Sequence, residues 1–118
     1  MLRRHEFQEK INEESVYFEI LELKDAFYVW LGNESNLMRS LTVAFPVQKT
    51  YSHVVSTKLF GPEDVSKELS ERLALKYHRP FFVSVGLDSQ TPSDSFYLIE
   101  KKLFQFLETV LRGTGKES

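Results

Sequence analysis

The side chains that most often carry out catalysis or bind metals, histidine and cysteine, are few and scattered in this sequence. The three histidines are His5, His53 and His78, and none lies at a metal-ligand spacing from another. The segment HEFQE lacks the second histidine, four positions after the first, that a zinc-binding helix needs. There are no cysteines, which excludes disulfides and zinc–thiolate sites. We therefore expect neither a metal site nor a cofactor.

Motifs for nucleophilic catalysis and phosphate binding are also absent from the sequence. No serine lies in a GxSxG motif, and Ser84 in FVSVG is typical of a small residue on a strand. The five glycines form neither a P-loop nor a dinucleotide-binding motif. A small hydrolase remains an alternative, and it would need a pocket that joins Ser56 or Ser84 to His53. The sequence predicts no catalytic residues, so we expect a protein that acts by binding and is not an enzyme.

Length and composition predict one globular domain. The chain has 118 residues, of which 42% are hydrophobic. Its formal net charge is only −2, so its charge gives no reason to expect binding to nucleic acid or to a membrane. MLRRHEFQEK has no apolar segment of a secretory signal, and no apolar run approaches the ~20 residues of a membrane helix. We expect a cytoplasmic protein, with the nucleus as a second compartment, and a disordered tail at about 113–118.

The apolar pattern predicts six strands and two helices. Residues 15–32 are typical of a β-hairpin, and an edge strand near 5–11 precedes it. Strands are also predicted in SLTVAFPV, SHVVSTKLF and PFFVSVGL. Helices are predicted from Gly61 to Tyr77 and from Thr91 to Gly113, the second in preference to a strand over 96–99. The fold class expected is α+β, with a mainly antiparallel sheet of about six strands and two helices packed on one face.

The hairpin predicts two sheet faces of different character. A two-residue turn at Lys24-Asp25 places Ile20 opposite Val29, so that alternate residues share a face. We expect the helices to cover the first face. It carries only aliphatic and phenylalanine side chains, those of Val16, Phe18, Ile20, Phe27, Val29 and Leu31. The second face carries Tyr17, Glu19, Leu21, Leu23, Ala26, Tyr28 and Trp30.

The second face is a candidate partner-binding surface. In SLTVAFPV, the larger residues Leu41, Val43 and Phe45 alternate with smaller ones, and we expect the smaller ones to surround the aromatic residues of the second face. Tyrosine and tryptophan with few charges are typical of the centre of a protein interface. The candidate partner-binding residues are Tyr17, Leu21, Tyr28 and Trp30. The alternative is that the chain itself covers them and that Trp30 is ordinary core.

Several segments, taken in order, resemble the proteasome assembly chaperone 4 family. They are KDAFYVWLG, LMRSLTVAF, VVSTKLFG, LSERLALKYHRPFFVSVGL and SDSFYLIEKKL, and the resemblance runs from about residue 5 to residue 107. It implies a six-stranded antiparallel sheet with two helices and no catalytic motif. It also implies a heterodimer with proteasome assembly chaperone 3 that binds α-subunits while the α-ring of the 20S proteasome forms. A homodimer is expected when the chain is alone.

A different class of protein remains open beside this resemblance. A generic α+β dimerisation module, such as a scaffold or trafficking subunit, would present the same kind of exposed aromatic face. The two hypotheses differ in their partners, because only the chaperone is expected to associate with proteasome subunits.

Overall fold

The computed structural model describes residues 3–33, 39–47, 53–61, 65–87 and 93–117. These residues form six strands and two helices, in the order expected from the sequence. The elements are β1 (Arg3–Ile11), β2 (Glu14–Glu22), β3 (Phe27–Gly32), β4 (Ser40–Pro46), β5 (Val54–Phe60), α1 (Val65–Tyr77), β6 (Phe81–Gly86) and α2 (Ser93–Glu117).

The six strands form a single mixed sheet in the order β1-β2-β3-β6-β4-β5. Neighbouring strands are antiparallel except β3 and β6, which are parallel. Strand β6 lies between β3 and β4 and is antiparallel to β4. The predicted fold class is confirmed, and β1 is the expected edge strand. Both strands next to β6 come much earlier in the sequence, so the centre of the sheet is built from contacts between distant segments.

Two tight turns fix the register of the first three strands. The backbone N–H of Leu23 donates a 2.9 Å hydrogen bond to the carbonyl of Ala26, which closes the predicted Lys24-Asp25 turn. Phe18 therefore lies opposite Leu31 and Ile20 opposite Val29, as predicted. The turn between β1 and β2 is Asn12-Glu13, and both residues have positive φ, as a type I′ hairpin turn requires.

Both helices cover the face of the sheet that carries the buried aliphatic and phenylalanine side chains. Phe106 of α2 stacks on Phe7 with ring centroids 4.2 Å apart and meets Phe18 edge-on at 5.1 Å. Leu69 and Leu73 of α1 are completely buried in the same core. The core residues predicted from the hairpin are all buried: Val16, Phe18, Ile20, Phe27, Val29 and Leu31.

The expected orientation of β4 is wrong. Ser40, Thr42 and Ala44 face the helices, because they lie in register with the buried Val85, Val83 and Phe81 of β6. Thr42 Oγ1 is 2.8 Å from Ser66 Oγ of α1, so a pair of hydroxyl groups joins the strand to the helix. Small side chains allow α1 to approach β4 closely, and the larger residues of β4 therefore point to the other face: Leu41, Val43 and Phe45.

The two helices end differently from one another. Helix α1 is followed by His78, whose φ of 55° is the left-handed conformation that often ends a helix. Helix α2 continues through Gly113 to Glu117, so the predicted end at Gly113 is wrong. Residues 62–64 and 91–92, near the predicted starts of the two helices, lie outside the described residues. Disorder of the tail at about 113–118 stays a prediction.

Gly61 is the one described glycine with positive φ, at 82°, and it lies against the start of β4. A Cβ at this position would be 2.1 Å from the carbonyl oxygen of Arg39 and 2.9 Å from Cα of Ser40. We expect Gly61→Ala to lower the free energy of unfolding by about 2 kcal/mol or more, as measured by urea denaturation. Arg39→Ala is the control, because it keeps the backbone carbonyl, and equal losses in both variants would contradict this explanation.

The phenol group of Tyr77 should make the folding stability depend on pH at high pH. Burial between Phe81 and Phe104, and then the negative charge of Glu108, raise the pKa of Tyr77 from 10.0 to about 12. The folded state favours the protonated phenol, so this contribution to stability is complete below pH 10 and is lost as the pH rises towards 12. Between pH 10 and pH 12, we expect the free energy of unfolding of the native chain to fall relative to that of Tyr77→Phe. A pH-independent difference would show that Tyr77 ionises equally in both states.

Candidate partner-binding surface

The sheet face that points away from α1 and α2, called here the open face, is built from two long rows of side chains. One row crosses all six strands and contains Arg4, Leu21, Tyr28, Phe82, Val43 and Thr57. The adjacent row contains Glu6, Glu19, Trp30, Ser84, Leu41 and Phe60. Both helices in the described ranges lie on the other side of the sheet.

All four residues predicted to bind a partner lie on the open face. Tyr17, Leu21, Tyr28 and Trp30 are each half-buried, so none of them belongs to the fully buried core beneath the helices. Burial raises the pKa of the Tyr28 phenol. The structure brings the four residues onto one surface, and their role in binding stays a prediction.

Three strongly exposed apolar side chains lie at the β4–β5 end of the open face. Phe45 is 43% exposed, and Val55 lies directly opposite it and is 58% exposed. Phe60 is 54% exposed and lies opposite Leu41. Together with the half-buried aromatic residues of β3 and β6, they place large apolar side chains on every strand from β3 to the β5 edge. A face that exposes several large apolar side chains is typical of an interaction site.

The β1–β2 end of the same face is charged. Arg4 forms a 2.8 Å ion pair with Glu19 and a 3.4 Å ion pair with Glu6. These charges and Gln8 line a shallow depression beside Trp30. The open face therefore has an apolar side and a polar margin, which is the arrangement of a protein interface with its rim.

Comparison with known proteins identifies the family. The family model for proteasome assembly chaperone 4 matches residues 15–87, from β2 to just beyond β6. The chain belongs to this family. Proteasome assembly chaperone 4 of Mus musculus is 34% identical over 108 residues, which cover 89% of this chain and 85% of the relative. The protein of the same name from Homo sapiens is 33% identical over 106 residues, covering 88% and 84%.

A solved structure shares the fold of this family member. One chain of a novel chaperone complex for yeast 20S proteasome assembly superposes with a TM-score of 0.74 and covers 92% of this chain and 96% of its own length. The sequence identity is 14%, so this likeness establishes the fold alone.

The two serines considered for catalysis, Ser56 and Ser84, lie on opposite faces of the sheet. Ser56 donates a 2.6 Å hydrogen bond to Glu71 on the helix side of the sheet. Ser84 is completely buried on the opposite face, and its hydroxyl has no hydrogen-bond partner within the described ranges. No cluster of metal-binding side chains occurs among those residues, and none of their helices is long and apolar enough to span a membrane.

Sequence reasoning missed the β4–β5 half of the open face. The residues missed there are Leu41, Val43, Phe45, Val55 and Phe60. A signal was present in β5, whose VVSTKLF segment has apolar residues at both ends and belongs to an edge strand. An edge strand with exposed Val, Leu and Phe is unusual in an isolated monomer, because it invites association.

Proposed function

We propose that this protein is a non-catalytic chaperone for assembly of the 20S proteasome, which forms a heterodimer with proteasome assembly chaperone 3 and binds α-subunits to promote correct α-ring formation. The observation that carries the proposal is the apolar open face in a member of the chaperone 4 family. Such a face suits a lasting protein partner, since water is excluded from its aromatic centre when it is covered.

The shape of the open face favours a partner that presents a sheet of its own. The two rows of side chains span the whole width of the sheet, and two sheets stack about 10 Å apart when their side chains interdigitate. A chaperone of related fold would bring an equivalent face. Covering most of the open face would produce a contact of roughly the standard ~1,600 Å² total.

The two proposed contacts have different tasks and therefore different chemistry. The chaperone pair stays together, which calls for the larger or more apolar interface. The contact with the α-subunits must come apart when assembly proceeds, which calls for a smaller and more polar surface. We assign the open face to the partner chaperone because it exposes the large apolar side chains of Phe45, Val55 and Phe60.

Affinity purification of the tagged chain from cells of its own organism tests this function. We expect chaperone 3 and proteasome α-subunits to be recovered together, and we expect a salt wash to remove the α-subunits first, because polar contacts are screened. Recovery of stable partners without any proteasome subunit would contradict the proposal and favour the dimerisation module.

The isolated chain offers a second test of the exposed apolar surface. With no partner, we expect concentration-dependent self-association, including a homodimer, because association buries Phe45, Val55 and Phe60. Analytical ultracentrifugation over a range of concentrations measures it. A monomer that persists at high concentration would contradict this expectation.

A further inference from the structure

Gly32 ends β3 two residues after Trp30, and the indole ring of Trp30 lies over it. A Cβ built on Gly32 would be 2.7 Å from Cζ2 of Trp30 and 3.1 Å from Cη2 of the same ring. Such a Cβ would also be 3.4 Å from the carbonyl carbon of Gly86, which pairs with Gly32 across the sheet. The φ angle of Gly32 is not in the left-handed region, so it is the space over Gly32, and not its backbone conformation, that requires glycine.

This close approach determines how Trp30 is presented. Side chains on a strand usually stand away from the sheet, and residues i and i+2 are neighbours on one face. Because Gly32 has no side chain, the indole can lean along the strand and lie on the backbone. Trp30 is half-buried in the free chain, which is consistent with this arrangement.

We propose that Gly32 is a positioning residue of the partner-binding surface, which lets the Trp30 indole rest against the backbone of β3 before the partner arrives. This inference rests on the proposed function, because it assigns a role within the same open face. An indole held close to the backbone leaves room above the sheet for the side chains of a second sheet. A ring fixed in advance also loses less conformational freedom on binding, which favours affinity.

The Gly32→Ala variant separates positioning from general stability. Alanine is more favourable than glycine within a strand, so the backbone itself gains from the change. The added methyl group meets the end of a side chain on the open face, and the indole can swing outwards to avoid it. We therefore expect a folded variant whose Trp30 stands away from the sheet.

Trp30 is the only tryptophan, so fluorescence reports its position directly. In free Gly32→Ala, we expect emission at a longer wavelength and stronger acrylamide quenching than in the native chain. We expect the affinity for chaperone 3, measured by calorimetry, to fall about tenfold. Unchanged emission would overturn the positioning role, and a shifted emission with unchanged affinity would overturn its importance for binding.

A double-mutant cycle with Trp30→Leu shows whether Gly32 acts through the indole. If it does, Gly32→Ala has no further effect on affinity once the indole is gone. An equal loss in both backgrounds would overturn the inference. If Gly32→Ala fails to fold, recovery of folding in the double variant supports the predicted clash, and failure of both variants overturns it.

The same measurements distinguish this inference from the proposed function. If Trp30→Leu leaves the affinity for chaperone 3 unchanged, the open face is not the partner surface, and the proposed binding mode fails. If Trp30→Leu weakens binding and Gly32→Ala does not, the partner surface is supported and the positioning role alone is overturned.

Discussion

Trp30→Asp is expected to weaken binding of the partner chaperone strongly and to leave the isolated domain largely folded. Trp30 lies in the middle of the open face and is only half-buried in the free chain, so its loss removes little of the core beneath the helices. In the native complex, a partner on the open face would bury the indole. In the variant it would have to bury a carboxylate instead, and this carboxylate lies directly opposite Glu19. We expect the affinity to fall about a hundredfold or more, measured by calorimetry with chaperone 3.

Gln105→Asp is the matched control for Trp30→Asp. Gln105 is an exposed residue of α2, so the same carboxylate is introduced on the helix side of the molecule. We expect native affinity in this variant, and circular dichroism should show both variants folded. If Trp30→Asp unfolds outright, Trp30 is internal core, and if both variants lose affinity equally, net charge is responsible.

The sequence predicted the first half of the fold because that half is built from local contacts. The Lys24-Asp25 turn sets the pairing of β2 with β3, and this pairing decides which hairpin residues face the helices. The alternation of residues along the hairpin is therefore enough to place Tyr28 and Trp30 on the open face. Periodicity also distinguished α2 from a strand over 96–99, because its buried residues recur at helical spacing: Ile99, Leu103, Leu107 and Val110.

The second half of the sheet depends on contacts that no local pattern contains. The insertion of β6 between β3 and β4 pairs residues far apart in the chain, such as Val29 with Val83. The orientation of β4 was wrong because size alone was used to decide which residues face the helices. In the structure, α1 lies so close to β4 that only small side chains fit between them, at Ser40, Thr42 and Ala44. Thr42 is hydrogen-bonded to Ser66 of this helix.

This reversal changes the character of the candidate site. With its larger residues turned outwards, β4 extends the aromatic surface of β3 as far as the β5 edge, where Phe45 and Val55 are exposed. The open face is therefore more apolar than the sequence predicted. A lasting partner accounts for such a face better than a transient one, because exposed apolar surface of this extent favours aggregation in a chain that is alone.

Two neighbouring phenylalanines on opposite faces of β6 are expected to separate stability from binding. Phe81 is completely buried, with its ring centroid 5.2 Å from that of Phe27 and 5.8 Å from that of Tyr77. We expect Phe81→Ala to lower the free energy of unfolding by about 3–5 kcal/mol, because it leaves a cavity between the sheet and α1. That loss is a large share of the total stability of a domain of this size.

Phe82→Ala makes the same chemical change one residue later, on the open face. Phe82 is half-buried between Tyr28 and Val43, so we expect its removal to cost about 1 kcal/mol of stability. We expect Phe82→Ala to weaken binding more than it weakens the fold, with about a tenfold loss of affinity for chaperone 3. Urea denaturation and calorimetry on both variants measure the two quantities. If Phe82→Ala destabilises the free chain as much as Phe81→Ala does, both faces of β6 are core and no surface is left there for a partner.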